Sequence, residues 1–375
     1  MLVSCATILG YDELQPRGTS ADAGHDVKLD APAPIDSTLE TIADTGTGPA
    51  RPPNRPVGAA VASGKGKRAW LMVKRYYLGS TDKTGTKSKQ GWKDWGYDVD
   101  GVCTGEAESR ANIGTCRRVD GADQDVLVDG NDCRDNNFGS QVVQLVVNLS
   151  PNIETQANDN VLKGSPTWIF VLDDLDEGPD DPYAPGKLYR AGATPSADPL
   201  KLDGSDVRTI TRDSVLEGDL EKATTTFPLG YVKNNVWVSG DPSAFSVIVP
   251  VGQVNVEAAL VGGVITFQLD ADHRGGGGGV IAGALPFDKF LQLMEPVAER
   301  SGFCPGSVLY SGFLNTLSKF PDTVFESDTL QDTGRTCDAI SIGLGFELSP
   351  MQPVTDLSDP PLPTKTSCGD AGAGG

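Results

Sequence analysis

At 375 residues, 38% of them hydrophobic and 22% charged, the chain has room for one large domain with a substantial core. A net charge of −20 excludes nucleic acid as a partner, because holding a phosphate backbone rests on Lys and Arg replacing its counterions. No apolar run reaches the roughly 18 residues of a spanning helix. No two of the seven cysteines form a Cys-x-x-Cys pair, and the histidines, His25 and His273, stand far apart, so a zinc site of familiar spacing is excluded.

The chain opens Met1-Leu2-Val3-Ser4-Cys5, an apolar residue and small residues before a cysteine. This resembles a bacterial lipobox, in which the cysteine becomes the lipidated first residue of the mature protein. The basic and apolar signal segment of that family is then expected upstream of Met1. An acylated Cys5 would carry several chains, enough for stable anchoring where one is marginal. After this N-terminus (1–16), residues 17–66 contain no Phe, Trp or Tyr, and prolines recur at 32, 34, 49, 52, 53 and 56. Such composition buries too little apolar surface to offset its ordering entropy, so a disordered Pro/Asp-rich tether is expected. Some 50 flexible residues would reach roughly 40 Å, a stalk between membrane and body.

The body is expected over 67–349. Arg68–Leu78 is rich in aromatic and branched residues and predicts a strand. A Cys/Asp-rich segment, 92–139, follows and lacks apolar periodicity; cross-links, ions or both are expected to hold it. Its Asp98, Asp100, Asp129, Asn131 and Asp135 are candidate ligands for a hard cation such as Ca2+, which takes several oxygens from short loops. The EF-hand template fails: counting from Asp129, Cys133 stands at the next ligand place and Arg134 at the required Gly. Asx-turns, in which Asp and Asn bond their own backbone, are the alternative reading.

Residues 138–149 fit a strand or a helix by pattern. Pro151 and Glu154 open a short helix over 151–163, which Gly164 ends. Residues 167–172 predict a buried strand running into an acidic loop with six carboxylates from Asp173 to Asp181. Solvation is one reading of that loop; a metal held by Asp173, Asp174 and Asp176 is the other. Further strands are expected at 187–190, 207–211, 231–238, 244–251, 255–260 and 264–269. Gly275–Gly279 are expected at a flexible hairpin tip, since the Lys-Ser/Thr of a phosphate loop is absent. A strand at 280–284, helices opening at Pro286 and over 308–317, and a strictly alternating strand at 337–348 complete the body. The tail, 350–375, is Pro/Gly-rich and expected to be disordered.

Turn signals about every ten residues predict a mainly β protein, an antiparallel sandwich or jelly-roll-like body with a few short helices. With Cys5 acylated, the pairings favoured are Cys304–Cys337, Cys103–Cys116 and Cys133–Cys368, and they imply an oxidising compartment. The start, the tether, Asp-Val-Asp-Gly-Val-Cys-Thr (98–104), Asp-Asn-Asn-Phe-Gly (135–139) and Cys-Asp-Ala-Ile-Ser-Ile-Gly-Leu-Gly-Phe (337–346) together resemble a group of uncharacterised bacterial secreted lipoproteins. That resemblance implies export, a lipid anchor and a β-rich body, and carries no catalytic residues.

The functional expectation is a lipid-anchored binding or structural protein of the cell envelope, at the outer membrane or cell surface, with a periplasmic or secreted location as the alternative. The lipid membrane is its first partner, through Cys5. A glycan, stacked on Trp92, Trp95 and Tyr97, or another surface protein is the second. No catalytic centre is evident: there is no Gly-x-Ser-x-Gly elbow. A secreted carbohydrate-active hydrolase using an Asp/Glu pair, from the acidic loop or Asp270 with Asp272, is the rival.

Overall fold

The computed structural model describes residues 49–149, 151–192, 199–251, 254–325, 330–360 and 368. Cys5, most of the tether and most of the tail lie outside the described residues.

Among the described residues, twelve strands and five α-helices follow in chain order: β1 (Lys67–Tyr77), α1 (Glu106–Ala111), α2 (Gln144–Leu149), α3 (Ile153–Leu162), β2 (Trp168–Leu175), β3 (Gly186–Arg190), β4 (Ile210–Thr211), β5 (Thr225–Phe227), β6 (Tyr231–Lys233), β7 (Val236–Val238), β8 (Ser243–Val251), β9 (Val254–Leu269), β10 (Gly276–Pro286), α4 (Phe287–Arg300), α5 (Val308–Leu317), β11 (Ala339–Pro350) and β12 (Leu357–Ser358). The protein is mainly β: one antiparallel sheet runs β5-β3-β2-β1-β11-β10-β9-β7-β6, curls into a half-barrel, and adds β8 as a flap on β9. Among the described residues, no helix is long and apolar enough to cross a membrane.

Period-two alternation assigns side chains to the two faces of this sheet. On β11, Ile340, Ile342, Leu344, Phe346 and Leu348 enter the main core. The intervening Ser341, Gly343 and Gly345 leave the opposite face almost bare. In β1, Ala69, Leu71 and Val73 face the main core, and a register shift between Val73 and Arg75 changes the parity so that Tyr76 faces it too. Phe170 stacks on Phe346 at 5.6 Å and Trp237 on Phe267 at 4.8 Å, and α4 covers this face with Phe290, Leu293 and Met294. The other face of β1 and β2 carries Met72, Ile169 and Val171, packed beneath Ile210, Val215 and Met351.

Several expectations change. Residues 231–238 form a two-strand hairpin, because Asn234 and Asn235 both take positive φ (52° and 60°), the tight turn that matches strand twist. The segments at 255–260 and 264–269 are one strand, β9, bent at Gly262 and Gly263. Gly276–Gly279 belong to β10; a Cβ on Gly279 would stand 2.3 Å from the Phe346 ring, so glycine there makes room for the core. Residues 138–149 are helical, a π-helical turn (Phe138–Val143) continuing into α2, because Phe138, Val142 and Val143 share a core-facing side.

The tether's last part, 49–66, is docked, correcting the boundary at 66. Ala50 is buried and exchanges backbone hydrogen bonds with Asp132 and Asp98, while Arg55 donates to the Pro182 and Leu229 carbonyls and covers the Tyr231 ring at 4.5 Å. The tail's first part, 350–360, is likewise held: Met351 and Val354 are buried, and β12 pairs with β4.

All six cysteines expected to pair do so, in another arrangement: Cys103–Cys133, Cys116–Cys337 and Cys304–Cys368. Two of the favoured pairings, Cys103–Cys116 and Cys304–Cys337, joined successive cysteines of the chain. Instead, Arg117 bridges to Thr336 in parallel, which aligns Cys116 with Cys337, and Asp129 bonds Thr104, which brings Cys133 back to Cys103.

Candidate metal centre

The Cys/Asp-rich segment sits on the bare face of β11. Trp95 lies over the strand, and a Cβ on Gly345 would fall 2.2 Å from its ring; an alanine there has no space. Trp95 also stacks on Tyr77 at 4.7 Å and donates its indole N–H to the Thr81 carbonyl. Tyr97 shares a hydrogen bond with Thr266 at 2.7 Å. These rings are buried, Trp95 at 2% and Tyr97 at 5% exposure, so they are core fillers and offer no stacking surface to a glycan; Trp92 is half-buried.

Asp-Asn-Asn-Phe-Gly fastens the other side. Asn136 Oδ1 accepts from the Gly139 and Gly343 amides, and its Nδ2 donates to the Trp92 carbonyl. The Asn137 amide donates to Ser341 Oγ, and its side chain donates to the Phe320 carbonyl. With both asparagines spent on backbone, Asp135 is carried to the centre of the module.

There Asp98, Asp100 and Asp135, all buried, place one carboxylate oxygen each within 4.8 Å of the others. Asp135 Oδ2 accepts from the Val99 and Asp100 amides at 2.7 and 3.2 Å. Asp100 accepts from the Val102 amide and, through its other oxygen, from the Thr115 hydroxyl. Asp98 accepts from the Gly101 amide at 2.7 Å and from Arg51 at 3.0 Å. Asp129 accepts from the Thr104 amide, and Asp322 is held by the Ser341 amide and hydroxyl. The Thr104 hydroxyl is buried and has no partner among the described residues.

This is a concentration of negative charge, and the salt bridge of Asp98 goes to the largely exposed Arg51. Burial first, then repulsion from Asp98, raises Asp100 to about 6 against the amide and hydroxyl bonds that favour its charge. Burial, with Asp100 and Asp322 nearby, raises Asp129 to about 8. Burial raises Asp322 to about 7, and burial with Asp100, Asp129 and Asp322 around it lifts Asp135 well above the carboxylate range. Buried like charges are tolerated only when protonated or neutralised by a cation. The donor set is all oxygen, since both nearby cysteines are in disulfides, and it suits a hard cation of the Ca2+ class better than a soft one.

Three of the eight ligand candidates therefore converge, Asp98, Asp100 and Asp135, and Asp129 lies beside Asp135. Asn131 does not, because its side chain donates to Asp94 at 2.8 Å. The acidic loop does not either. Asp173 binds Arg68 and Lys187, Asp174 accepts from the Ser63 and Gly66 amides, and Asp176 accepts from the Ser63 hydroxyl. Basic side chains and backbone amides offset that loop's charge without a metal. Asp322 and Thr115 were missed; each stands outside the Asp and Asn spacings that pointed to the other residues of the cluster. His273 is buried between the Asp176 carbonyl and the Asn235 side chain.

No protein-family model, curated protein or solved structure matches this chain, and the centre is read from its own geometry.

Proposed function

We propose that the chain is an extracytoplasmic, lipid-anchored binding or structural protein whose Cys/Asp-rich segment is held together by a buried Ca2+ ion. The observation that carries the cation is the convergence of the Asp98, Asp100 and Asp135 carboxylates within 4.8 Å, inside a segment closed by Cys103–Cys133. Loops around 98–101 and 129–135 meet there from two directions, so an ion would cross-link them as the disulfide does. Three disulfides among six cysteines support an oxidising compartment. The lipobox-like start supports the anchor at Cys5, and the acidic surface suits neutral or cationic partners.

Two measurements test this reading. Thermal melting in saturating CaCl2 and in chelator at pH 7.5 reports the cation: a higher midpoint in calcium is expected, and equal midpoints remove the ion. Intact mass of the mature protein from a bacterial host, with Cys5→Ser as control, reports the anchor. A mass lacking acyl chains in the unsubstituted protein removes it.

A further inference from the structure

The loop after β1 is basic in an acidic chain. Residues 79–94 hold four lysines, Lys83, Lys87, Lys89 and Lys93, against Asp82 and Asp94, a local balance of +2 where the whole carries −20. The loop is a built one. The Asp82 amide donates to the Thr86 carbonyl at 3.0 Å, and Asp82 Oδ1 accepts from the Thr84 and Thr86 amides, so this carboxylate is spent inside its own turn. Beneath the loop, Glu154 is buried and accepts from the Ser80 amide and hydroxyl and from the Thr81 hydroxyl. Asp94 accepts from the Asn131 side chain at 2.8 Å. Lys87 and Lys89 are exposed and Lys93 is half-buried. Among the described residues, Lys87 donates to the Asn152 side chain at 3.1 Å and Lys93 lies over the Trp92 ring at 5.5 Å, and no carboxylate holds these two or Lys89. Lys67, Arg68, Lys187 and Lys233, on the far side of the acidic loop, each face one.

The place of this loop says what it meets. The described chain begins at residue 49, and the Ala50 amide donates to the Asp132 carbonyl. Asn131, beside Asp132, is the residue bonded to Asp94, and a Cβ on Gly130 would stand 2.7 Å from the Lys93 carbonyl oxygen. The N-terminal lead therefore enters the body at the foot of the lysine loop. We propose that Lys87, Lys89 and Lys93 dock the body on an anionic lipid surface, with their ammonium groups against headgroup phosphates. The choice of a bilayer rests on the lipid-anchored reading, since a chain held at Cys5 meets its own membrane repeatedly and a weak patch then suffices to orient it. Geometry favours a flat surface over a soluble polyanion. Charges more than about 8 Å away are screened at physiological salt, so a plane touching only this loop escapes most of the −20 that a wrapping polymer would meet. Each lysine at such a surface contributes about fivefold in affinity.

The test uses the full chain carrying Cys5→Ser, so that no acyl chain contributes and a missing anchor, read separately by intact mass, leaves the result intact. Flotation in calcium-containing buffer measures binding to vesicles of phosphatidylglycerol and phosphatidylcholine in equal parts, and to phosphatidylcholine alone. Binding to the anionic vesicles only is expected, with release at about 0.5 M NaCl. The combined Lys87→Gln, Lys89→Gln and Lys93→Gln variant is expected to bind on the order of a hundredfold more weakly. A matched variant, Lys201→Gln, Lys222→Gln and Lys289→Gln, brings the same change in net charge from α4 and the β3–β5 connection, and is expected to bind within about threefold of the parent. Melting midpoints show that both variants fold. No binding to anionic vesicles overturns the proposal, and so does undiminished binding by the first variant, which would mean calcium bridging acidic side chains to phosphate. An equal loss in the matched variant overturns it in favour of net charge alone. Tighter binding to dextran sulfate than to the vesicles overturns it in favour of an anionic polysaccharide.

Discussion

Asp135→Asn separates a cation site from a merely acidic pocket. The asparagine oxygen can still accept from the Val99 and Asp100 amides, and its new N–H₂ faces neighbouring carboxyls that accept it. What disappears is a charge, and with it one of three converging ligands. A cation present at about a hundredfold its dissociation constant stabilises the folded state by about 2.7 kcal/mol. For a domain of this size, at about 2–4 °C per kcal/mol, that is a midpoint rise of roughly 5–10 °C. The wild type should show this rise between chelator and CaCl2 at pH 8, and Asp135→Asn should show less than about 1 °C. In chelator the order should invert: the variant melts at or above the wild type, because it no longer buries a carboxyl whose ionisation is opposed by Asp100, Asp129 and Asp322. Differential scanning calorimetry of the four samples reads both effects. A wild type indifferent to calcium, or a variant that keeps the whole response, refutes the reasoning.

The same carboxyls set a pH dependence. Asp100, Asp322 and Asp129, raised to about 6, 7 and 8, bind more protons folded than unfolded, so the cation-free protein loses stability as pH rises from about 4 through 8. In chelator the midpoint should therefore be higher at pH 5.5 than at pH 8, and calcium should flatten that slope; a midpoint rising with pH in chelator contradicts it. Gly345→Ala drives a Cβ into the Trp95 ring and should cost about 1–3 kcal/mol in urea unfolding, whereas Gly277→Ala, with its nearest neighbour 3.7 Å away, should be neutral or slightly stabilising. Replacing both Cys116 and Cys337, 221 residues apart, by serine should cost about 5 kcal/mol by loop entropy, against about 4 for Cys304 and Cys368, 64 apart. Guanidinium midpoints under oxidising conditions rank them, and an inverted order would show that strain or residual structure outweighs loop length.

The fold was legible where one residue's environment repeats along the chain. The alternation of 337–348 and the helix of 153–162 are local patterns, and both stand as expected. Cysteine partners were not legible, since Cys116 meets Cys337 only after β11 has entered the sheet and drawn residue 117 alongside residue 336. The three converging ligands, Asp98, Asp100 and Asp135, could be picked from Asp and Asn spacing. Their separation from the acidic loop could not, because Arg68 and Lys187, which draw Asp173 away, come from other strands. Trp95 and Tyr97 look alike as stacking surfaces or core residues until the glycines of β11 are placed beneath them.

The lead into the body has a mechanical meaning. Residue 50 is clasped by Asp132 and Asp98 through its backbone, and Arg51 by Asp98 through its side chain, within the same loops that hold the carboxylates. Were the N-terminus anchored as proposed, tension arriving along the preceding residues would reach these bonds before it reached any strand. A tug on a tethered molecule would therefore be felt first at the acid cluster, whose resistance to shear would depend on whether an ion was riveting the two loops together.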